Sequence, residues 1–149
     1  MSLLFRSPST ALAARSYIRK YYNPMLEAYH KADLDTALGY FLDGLMNKTG
    51  ALGQLPKDVQ SMMRENAKTI GEVEATLPRF TKKEAKQISC PTLLINGANG
   101  TTIFRAINEQ LNKSISKSEL AIILESSHFP HLENAQEFNT KVLEFLGRE

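Results

Sequence analysis

The chain has 149 residues, and its 42% hydrophobic and 23% charged residues are typical of one folded domain and exclude a disordered chain. The net charge of +2 provides no basic surface for nucleic acid or anionic lipid. One cysteine excludes an intrachain disulfide and a cysteine-rich zinc site, and no apolar run suits a membrane span or signal peptide. We therefore expect a cytoplasmic protein without a metal or cofactor.

Residues 1–87 carry the patterns of several helices. Ser9 or Thr10 suits the N-cap of a helix that runs to about Tyr22, where Pro24 interrupts or restarts it. Asp33 is the predicted N-cap of the next helix. The apolar residues of that helix recur at the spacing of one helical face: Leu34, Ala37, Leu38, Phe41, Leu42 and Leu45.

Two shorter helices are predicted before residue 88. Pro56 suits the first position of a third helix. Thr81 and Glu84 have the spacing of a capping box for a short helix that ends near Gln87. The residues expected on one side of the third helix are Val59, Met62, Met63 and Ala67.

Residues 88–149 have a different pattern. Two short apolar runs, Pro91–Gly97 and Glu119–Leu124, predict strands that are buried on both faces, as in a parallel sheet. Helical patterns follow each strand, over Thr101–Asn112 and Asn134–Leu146. The fold class is therefore α/β, with a βαβα unit of two parallel strands and a right-handed crossover. The residues expected to face inward from the last helix are Phe138, Val142, Phe145 and Leu146.

Two parallel strands make an incomplete sheet. Parallel sheets normally have several strands and are covered on both faces, so a pair leaves open edges and an uncovered face. Either the helical region covers that face, a partner chain supplies the missing sheet, or the chain is part of a larger fold. The residues leave all three open.

The stretch Ser126–Glu133 is the most informative for chemistry. It reads S-S-H-F-P-H-L-E, and its first histidine, His128, lies four residues after Leu124. Catalytic groups of open α/β sheets gather at the carboxyl ends of strands, and imidazole is suited to proton transfer near neutral pH. The competing interpretation is a loop histidine that is hydrogen-bonded to the backbone.

The order of these pieces resembles the end of an α/β-hydrolase chain of the esterase-like kind. The strand P-T-L-L-I-N-G, the strand L-A-I-I-L, the H-F-P-H-L-E loop and the final helix carry the resemblance. The preceding helices, with L-P-K-D-V and E-N-A, resemble the lid region. The resemblance implies a partial α/β-hydrolase fold, with a helical lid region over 1–87 and the C-terminal part of the core over 88–149. The complete fold would hydrolyse a small carboxylic ester or a related carbonyl compound.

The resemblance also implies roles for residues in the loop. In that family the histidine after the last strand is the base of the catalytic triad, and His128 matches it. His131 then becomes a structural neighbour, and Glu133 complements the charge at a helix N-terminus. The candidate substrate-pocket residues are Met62, Asn66 and Phe129, with helix packing as the other interpretation of Met62.

Two parts of the triad are missing from this sequence. None of the eight glycines has Ser, Cys or Asp two residues later, so the G-x-S-x-G nucleophile elbow does not occur. The loop after the first strand has Asn99, where family members commonly carry an aspartate. An asparagine orients a histidine by hydrogen bonding but does not stabilise an imidazolium by charge. Glu125 is a weaker candidate for the acid.

The leading interpretation is the lid and C-terminal part of a hydrolase, inactive by itself because a base needs a nucleophile and oxyanion donors. One alternative is a non-catalytic interaction module whose unpaired sheet edge recruits a partner by strand addition. Another is a self-contained small α/β domain, which would unfold cooperatively as a monomer.

Overall fold

The computed structural model describes residues 8–71 and 80–148. The chain divides into two compact units. One unit is Ala14–Arg79, which is helical where it is described, and the other combines Met1–Ala13 with Phe80–Glu149 and contains the sheet. The described helical segments before residue 72 are, in chain order, α1 (Pro8–Tyr17), a π-helical turn (Ile18–Tyr22), α2 (Asn23–His30), α3 (Leu34–Met46), α4 (Ala51–Gln54), α5 (Lys57–Glu65) and a 3₁₀ turn (Ala67–Gly71).

The first helices differ from prediction at their start. Helix α1 begins at Pro8, so the predicted caps Ser9 and Thr10 lie inside it. Pro24 lies in the first turn of α2, where the helix restarts after the π-helical turn. Because proline has no N–H to donate to the carbonyl four residues earlier, its place at the start of α2 avoids a lost bond within a helix.

Helix α3 provides the core of the helical unit. The Asp33 carboxylate accepts a hydrogen bond from the Thr36 N–H at 3.1 Å, which confirms the predicted N-cap and lowers the pKa of Asp33. Asn47 ends the helix in a left-handed conformation with φ of 51°. The predicted apolar face of α3 packs into one cluster, whose buried members are Met25, Ala28, Ala37, Leu38, Leu42, Ala51, Leu52, Ala67 and Ile70.

Helix α5 differs from the prediction in two details, its first residue and the residues that face the core. Pro56 is its N-cap with ψ of 147°, so the helix starts one residue later than predicted. Of the predicted inner face, Ala67 and Met63 contact the cluster, whereas the Met62 side chain is 53% exposed. Gln60 is buried instead, and its Nε2 donates to the Leu55 carbonyl at 2.8 Å. A polar residue therefore occupies an inner position because it satisfies a backbone group of the preceding turn.

The second unit contains the predicted strand–helix–strand–helix order. Its elements are α6 (Lys82–Ala85), β1 (Thr92–Gly97), α7 (Thr102–Asn112), β2 (Ser118–Ile123), α8 (Pro130–Glu133) and α9 (Ala135–Leu146). The capping box of α6 is confirmed: Glu84 N–H donates to the Thr81 hydroxyl at 3.3 Å, and Thr81 N–H donates to the Glu84 carboxylate at 2.6 Å. Helix α8 was not predicted.

Strands β1 and β2 pair in parallel, in register from Thr92 opposite Ser118 to Gly97 opposite Ile123. Side chains alternate between the faces of a strand, so Asn96 shares a face with Leu94. Helix α7 packs on that face, because Asn108 Nδ2 donates to Asn96 Oδ1 at 2.9 Å and to the Ile95 carbonyl at 3.2 Å. The two-stranded parallel α/β arrangement is therefore confirmed.

The predicted burial of the strands on both faces is wrong for the described residues. Only Asn96, Gly97 and Ile123 are buried in the two strands. Helix α9 has no buried residue, and Leu146, expected to face inward, is 62% exposed. Two strands and their helices supply too few layers to bury every apolar side chain, since strand burial comes from neighbouring strands and helices on both faces.

Candidate functional site

The loop that carries His128 begins where β2 ends. Glu125 takes a left-handed conformation with φ of 51°, which turns the chain back over the end of β1. Ala98 N–H donates to the Ile123 carbonyl, and Asn99 N–H donates to the Ser126 carbonyl, both at 2.8 Å. The loops after both strands are thus bonded to each other at the carboxyl end of the sheet, which is the expected place for a site.

The close approach of the two loops is possible because Gly97 has no side chain. A Cβ atom at Gly97 would overlap the backbone carbonyl oxygens of Ser126 and Ser127. Only a residue without a side chain allows the His128 loop to pack on the end of β1 in this way. Gly97 was predicted only as the end of a strand, and the pattern of residues around it carries no signal for its contact with the loop.

Glu133 holds the loop from its other side. Its Oε2 accepts the backbone N–H groups of Ser127 at 2.8 Å and of Phe129 at 3.0 Å, and its Oε1 accepts the Ser127 hydroxyl at 2.7 Å. Glu133 is the last residue of α8, and the final helix α9 is capped by Asn134 instead. The Glu133 carboxylate is therefore engaged with the His128 loop, whereas the predicted role of Glu133 was charge complementarity at the N-terminus of the final helix.

His128 is exposed as a residue, but its ring contacts two aromatic rings. The ring centroids of Phe104, on α7, and of Phe129 each lie 5.2 Å from the imidazole centroid. Loss of solvation there lowers the pKa of His128, and the negative charge of Glu133 partly offsets this effect. The balance favours the neutral imidazole, the form that accepts a proton. No hydrogen bond joins His128 to another residue that the structure describes.

A cavity of about 250 Å³ opens beside His128. The end of β1, the start of α7 and the His128 loop line it, and Asn96, Thr101 and Phe104 contribute to the wall. Asn96 is buried, and its Nδ2 has no hydrogen-bond partner among the described residues. The cavity gives a small molecule access to the imidazole.

The remaining predicted residues of this unit lie around the loop. Asn99 is exposed, and within the described part of the chain no hydrogen bond links its side chain to His128. Glu125 is also exposed and makes no described hydrogen bond to His128. The His131 ring contacts Phe129 and Phe138, with centroids 6.3 and 5.9 Å apart.

Met62 and Asn66 belong to the helical unit. Met62 is exposed on α5, and Asn66 ends that helix. Asn66 Nδ2 donates to the Met62 carbonyl at 2.8 Å, and the Asn66 carbonyl accepts the Thr69 hydroxyl at 2.8 Å. These contacts are those of a helix C-terminus and of the 3₁₀ turn that follows it.

The described residues provide neither a cluster of metal ligands nor a membrane-spanning helix. Over 8–71 and 80–148, no group of three or more His, Cys, Asp or Glu side chains is arranged to hold a metal ion. Within the same ranges, no helix combines the length and the apolar character that crossing a membrane requires.

Solved structures share this fold. No protein-family model and no curated protein matches the sequence. The chain is similar to the esterase RhEst1 from Rhodococcus sp. ECU1013, with 17% identity and a TM-score of 0.64 over 89% of this chain and 48% of that one. It is similar to Est816, described as an N-acyl homoserine lactone degrading enzyme, with 22% identity and a TM-score of 0.60 over 81% and 50% of the two chains. It is also similar to MenH from S. aureus, with 20% identity and a TM-score of 0.58 over 89% and 53%.

The chain spans about half the length of these solved structures. Their likeness covers most of this chain, and TM-scores of 0.58 to 0.64 establish a shared fold, whereas identities of 17 to 22% do not establish a shared chemistry. The fold is that of part of an α/β-hydrolase, with helices followed by two parallel strands and the helices attached to them.

Proposed function

We propose that this chain supplies the catalytic histidine of an α/β-hydrolase that, in its complete form, cleaves a small carboxylic ester or a related carbonyl compound. The observation that carries the proposal is the geometry of His128. Its imidazole lies at the carboxyl end of the sheet, beside a cavity, with a lowered pKa and a loop bonded on both sides.

His128 would act as a general base. At neutral pH a lowered pKa keeps the imidazole unprotonated, so it takes the proton of a nucleophile and later returns it to the leaving group. Asn99 is the residue of this chain that we propose to orient the ring when the site is complete. Phe129, whose ring contacts the imidazole, is a proposed wall of the substrate pocket.

The nucleophile would come from residues outside this sequence. The two serines nearest His128 are already engaged: Ser126 Oγ donates to the Ile123 carbonyl at 3.0 Å, and Ser127 Oγ donates to Glu133 at 2.7 Å. No G-x-S-x-G motif occurs in the chain. A hydrolase site therefore needs a partner chain, or further sequence, to supply a nucleophile and oxyanion donors.

The helical region, over 1–87, is the proposed lid, and 88–149 is the proposed part of the core. In this assignment Met62 and Asn66 face the substrate in the complete fold. The 53% exposure of Met62 supports the assignment, because a flexible apolar side chain left outside the core suits a surface that contacts substrates of varied shape.

The alternative function is a non-catalytic interaction module. The observation that favours it is the two-stranded sheet, whose strands are only partly buried within the described residues. A further parallel strand from a partner chain would bond to the free edge of this sheet. A complete hydrolase would also add strands to this sheet edge, so hydrolytic activity is what distinguishes the hydrolase from the interaction module.

The test compares hydrolysis of p-nitrophenyl acetate and butyrate in two settings. For the purified chain, we expect rates no higher than those of an equal concentration of free imidazole, and no effect of His128→Ala. The second setting co-expresses the chain with a polypeptide, encoded beside it, that contains G-x-S-x-G. Hydrolysis that requires His128 there would support the hydrolase. A stable complex without such hydrolysis would favour the interaction module, and His128-dependent turnover by the purified chain would contradict the proposed division of the site.

A further inference from the structure

The Glu133 side chain makes an unusual number of bonds to a short stretch of chain. Both carboxylate oxygens are engaged, and all three donors belong to Ser127 and Phe129, the residues on either side of His128. Hydrogen bonds to an ionised carboxylate are shorter and stronger than those between neutral groups. The one residue between the donors is the proposed base.

We propose that Glu133 is a positioning residue for His128, which it orients by holding the backbone on both sides of the imidazole. The role of His128 as a base rests on the proposed function. The contacts that position it are independent of that function.

The local backbone explains how Glu133 reaches the loop. Helix α8 is a single turn that starts after Phe129, so its last residue returns to a point beside its first. Glu133 N–H donates to the Phe129 carbonyl at 2.9 Å, while Phe129 N–H donates to the Glu133 carboxylate at 3.0 Å. The first bond is the ordinary backbone bond of a helical turn, and the second lets the acidic side chain satisfy the N–H of the N-cap residue Phe129.

His128 depends on these neighbours for its position. Its own side chain makes no hydrogen bond to a described residue, and its contacts are with the Phe104 and Phe129 rings. Ring contacts restrict where an imidazole lies but leave its rotation and the backbone beneath it less constrained than hydrogen bonds do. The bonds from the Ser127 and Phe129 backbone to Glu133 therefore fix the backbone on both sides of His128, which the ring contacts do not.

The charge of Glu133 acts on His128 as well. The titratable and charged groups around the imidazole are Arg105 on α7, which lines the same cavity, and His131 and Glu133 on α8. The negative charge of Glu133 raises the pKa of His128, whereas burial of the imidazole lowers it. The two effects have opposite signs, which makes the contribution of Glu133 measurable.

The experiment is an NMR titration of His128 in the full 149-residue chain, with the resonance assigned through His128→Gln. Glu133→Gln keeps the size of the side chain and removes its charge. If Glu133 positions and polarises the imidazole, the pKa of His128 falls further in this variant. The Ser127 and Phe129 amides also exchange at least about tenfold faster, since the glutamine oxygen still accepts but the bonds lose their charge assistance. Glu133→Asp, which keeps the charge on a shorter side chain, should restore the pKa more fully than the amide protection.

The matched control is Glu137→Gln. Glu137 also accepts a backbone N–H, that of Leu124 at 2.9 Å, and a side-chain amide, that of Asn134 at 2.9 Å. Glu137 bonds to Leu124 and Asn134 and not to the residues on either side of His128, so this variant should leave the pKa of His128 unchanged. In Glu133→Gln a loosened loop would also rehydrate the imidazole, which offsets part of the fall in its pKa. Ser127 and Phe129 amides that exchange as slowly in Glu133→Gln as in the unaltered chain would overturn the proposal.

A second measurement covers the case in which Glu133→Gln does not fold. In the unaltered chain, raising the salt concentration from about 10 mM to about 1 M shortens the screening length from roughly 30 Å to roughly 3 Å. The pKa of His128 should then fall as the attraction of Glu133 is screened. In the same unaltered chain, Ser127 and Phe129 amides that exchange no more slowly than exposed loop amides would overturn the proposal. Neither titration uses activity. Absence of His128-dependent hydrolysis in the co-expressed complex would reject the base role and leave the positioning result standing.

Discussion

His128 combines exposure to a cavity with a ring that is partly desolvated, and the combination has a thermodynamic consequence. Phe104 and Phe129 make the protonated imidazole less favourable in the folded chain than in the unfolded chain. The unfolded chain therefore binds the proton more tightly, and protonation favours unfolding. The folded loop is therefore favoured by the neutral form of His128, which is the form that the proposed base role requires.

The stability of the unit that contains His128 should fall as the pH is lowered through about 6.5, the ordinary value for histidine. Above that pH the contribution is fully present, because both the folded and unfolded chains then carry a neutral imidazole. Urea unfolding at a series of pH values between about 5 and about 8 measures the effect. In His128→Gln the part of the slope that belongs to this residue should disappear. An unchanged slope would contradict the lowered pKa.

At the scale of elements, the junction between the end of β1 and the loop after β2 decides whether the site forms. The loop carbonyls of Ser126 and Ser127 lie where a side chain of Gly97 would be. Two backbone hydrogen bonds from Ala98 and Asn99 also cross this junction. The contact is made of backbone on both sides, so it has little room to adjust.

Gly97→Ala should destabilise the chain by about 1–3 kcal/mol, because the added methyl group overlaps backbone atoms that have no side chain to rotate away. Gly39→Ala is the matched control. A Cβ there meets no atom within 4 Å, and the residue lies within α3, so alanine should be neutral or stabilising by up to about 1 kcal/mol. Denaturant unfolding of both variants checks the pair. Equal stability of the two would mean that the loop does not depend on the close approach.

For the molecule as a whole, apolar surface is left uncovered on the unit that contains the sheet. Leu143 and Leu146 lie three residues apart on α9, on one side of the helix, and are 67% and 62% exposed. Leu146 and Phe145 also line a cavity of about 330 Å³ together with Pro91. Exposed apolar surface of this kind favours association.

The purified chain should therefore associate as its concentration is raised, which sedimentation velocity measures. The double variant Leu143→Gln/Leu146→Gln should weaken this association, since each leucine contributes about 1.5–3 kcal/mol when it is fully covered. Leu12→Gln is the control, because Leu12 is 70% exposed and belongs to α1, not to α9. A chain that remains monomeric at all concentrations would instead support the self-contained small domain.

The sequence by itself determined the local elements and their order. The Asp33 cap, the Thr81 capping box, the apolar face of α3 and both strands follow from residues within a few positions of one another, and the structure confirms them. Their physical basis is local: caps satisfy backbone groups of the same turn, and periodicity reflects the geometry of one helix or strand. The position of His128 just after β2 could be predicted for the same reason.

The tertiary structure decided the burial of those elements and the contacts around His128. The half-exposed strands follow from the number of layers present, which no single run of residues specifies. The Asn108 bond to Asn96 and the approach of Gly97 to Ser127 join residues that are distant in the chain. Glu133 is near His128 in sequence, yet its bonds to Ser127 and Phe129 depend on α8, which folds the side chain back, because hydrogen bonds depend on direction as well as on proximity.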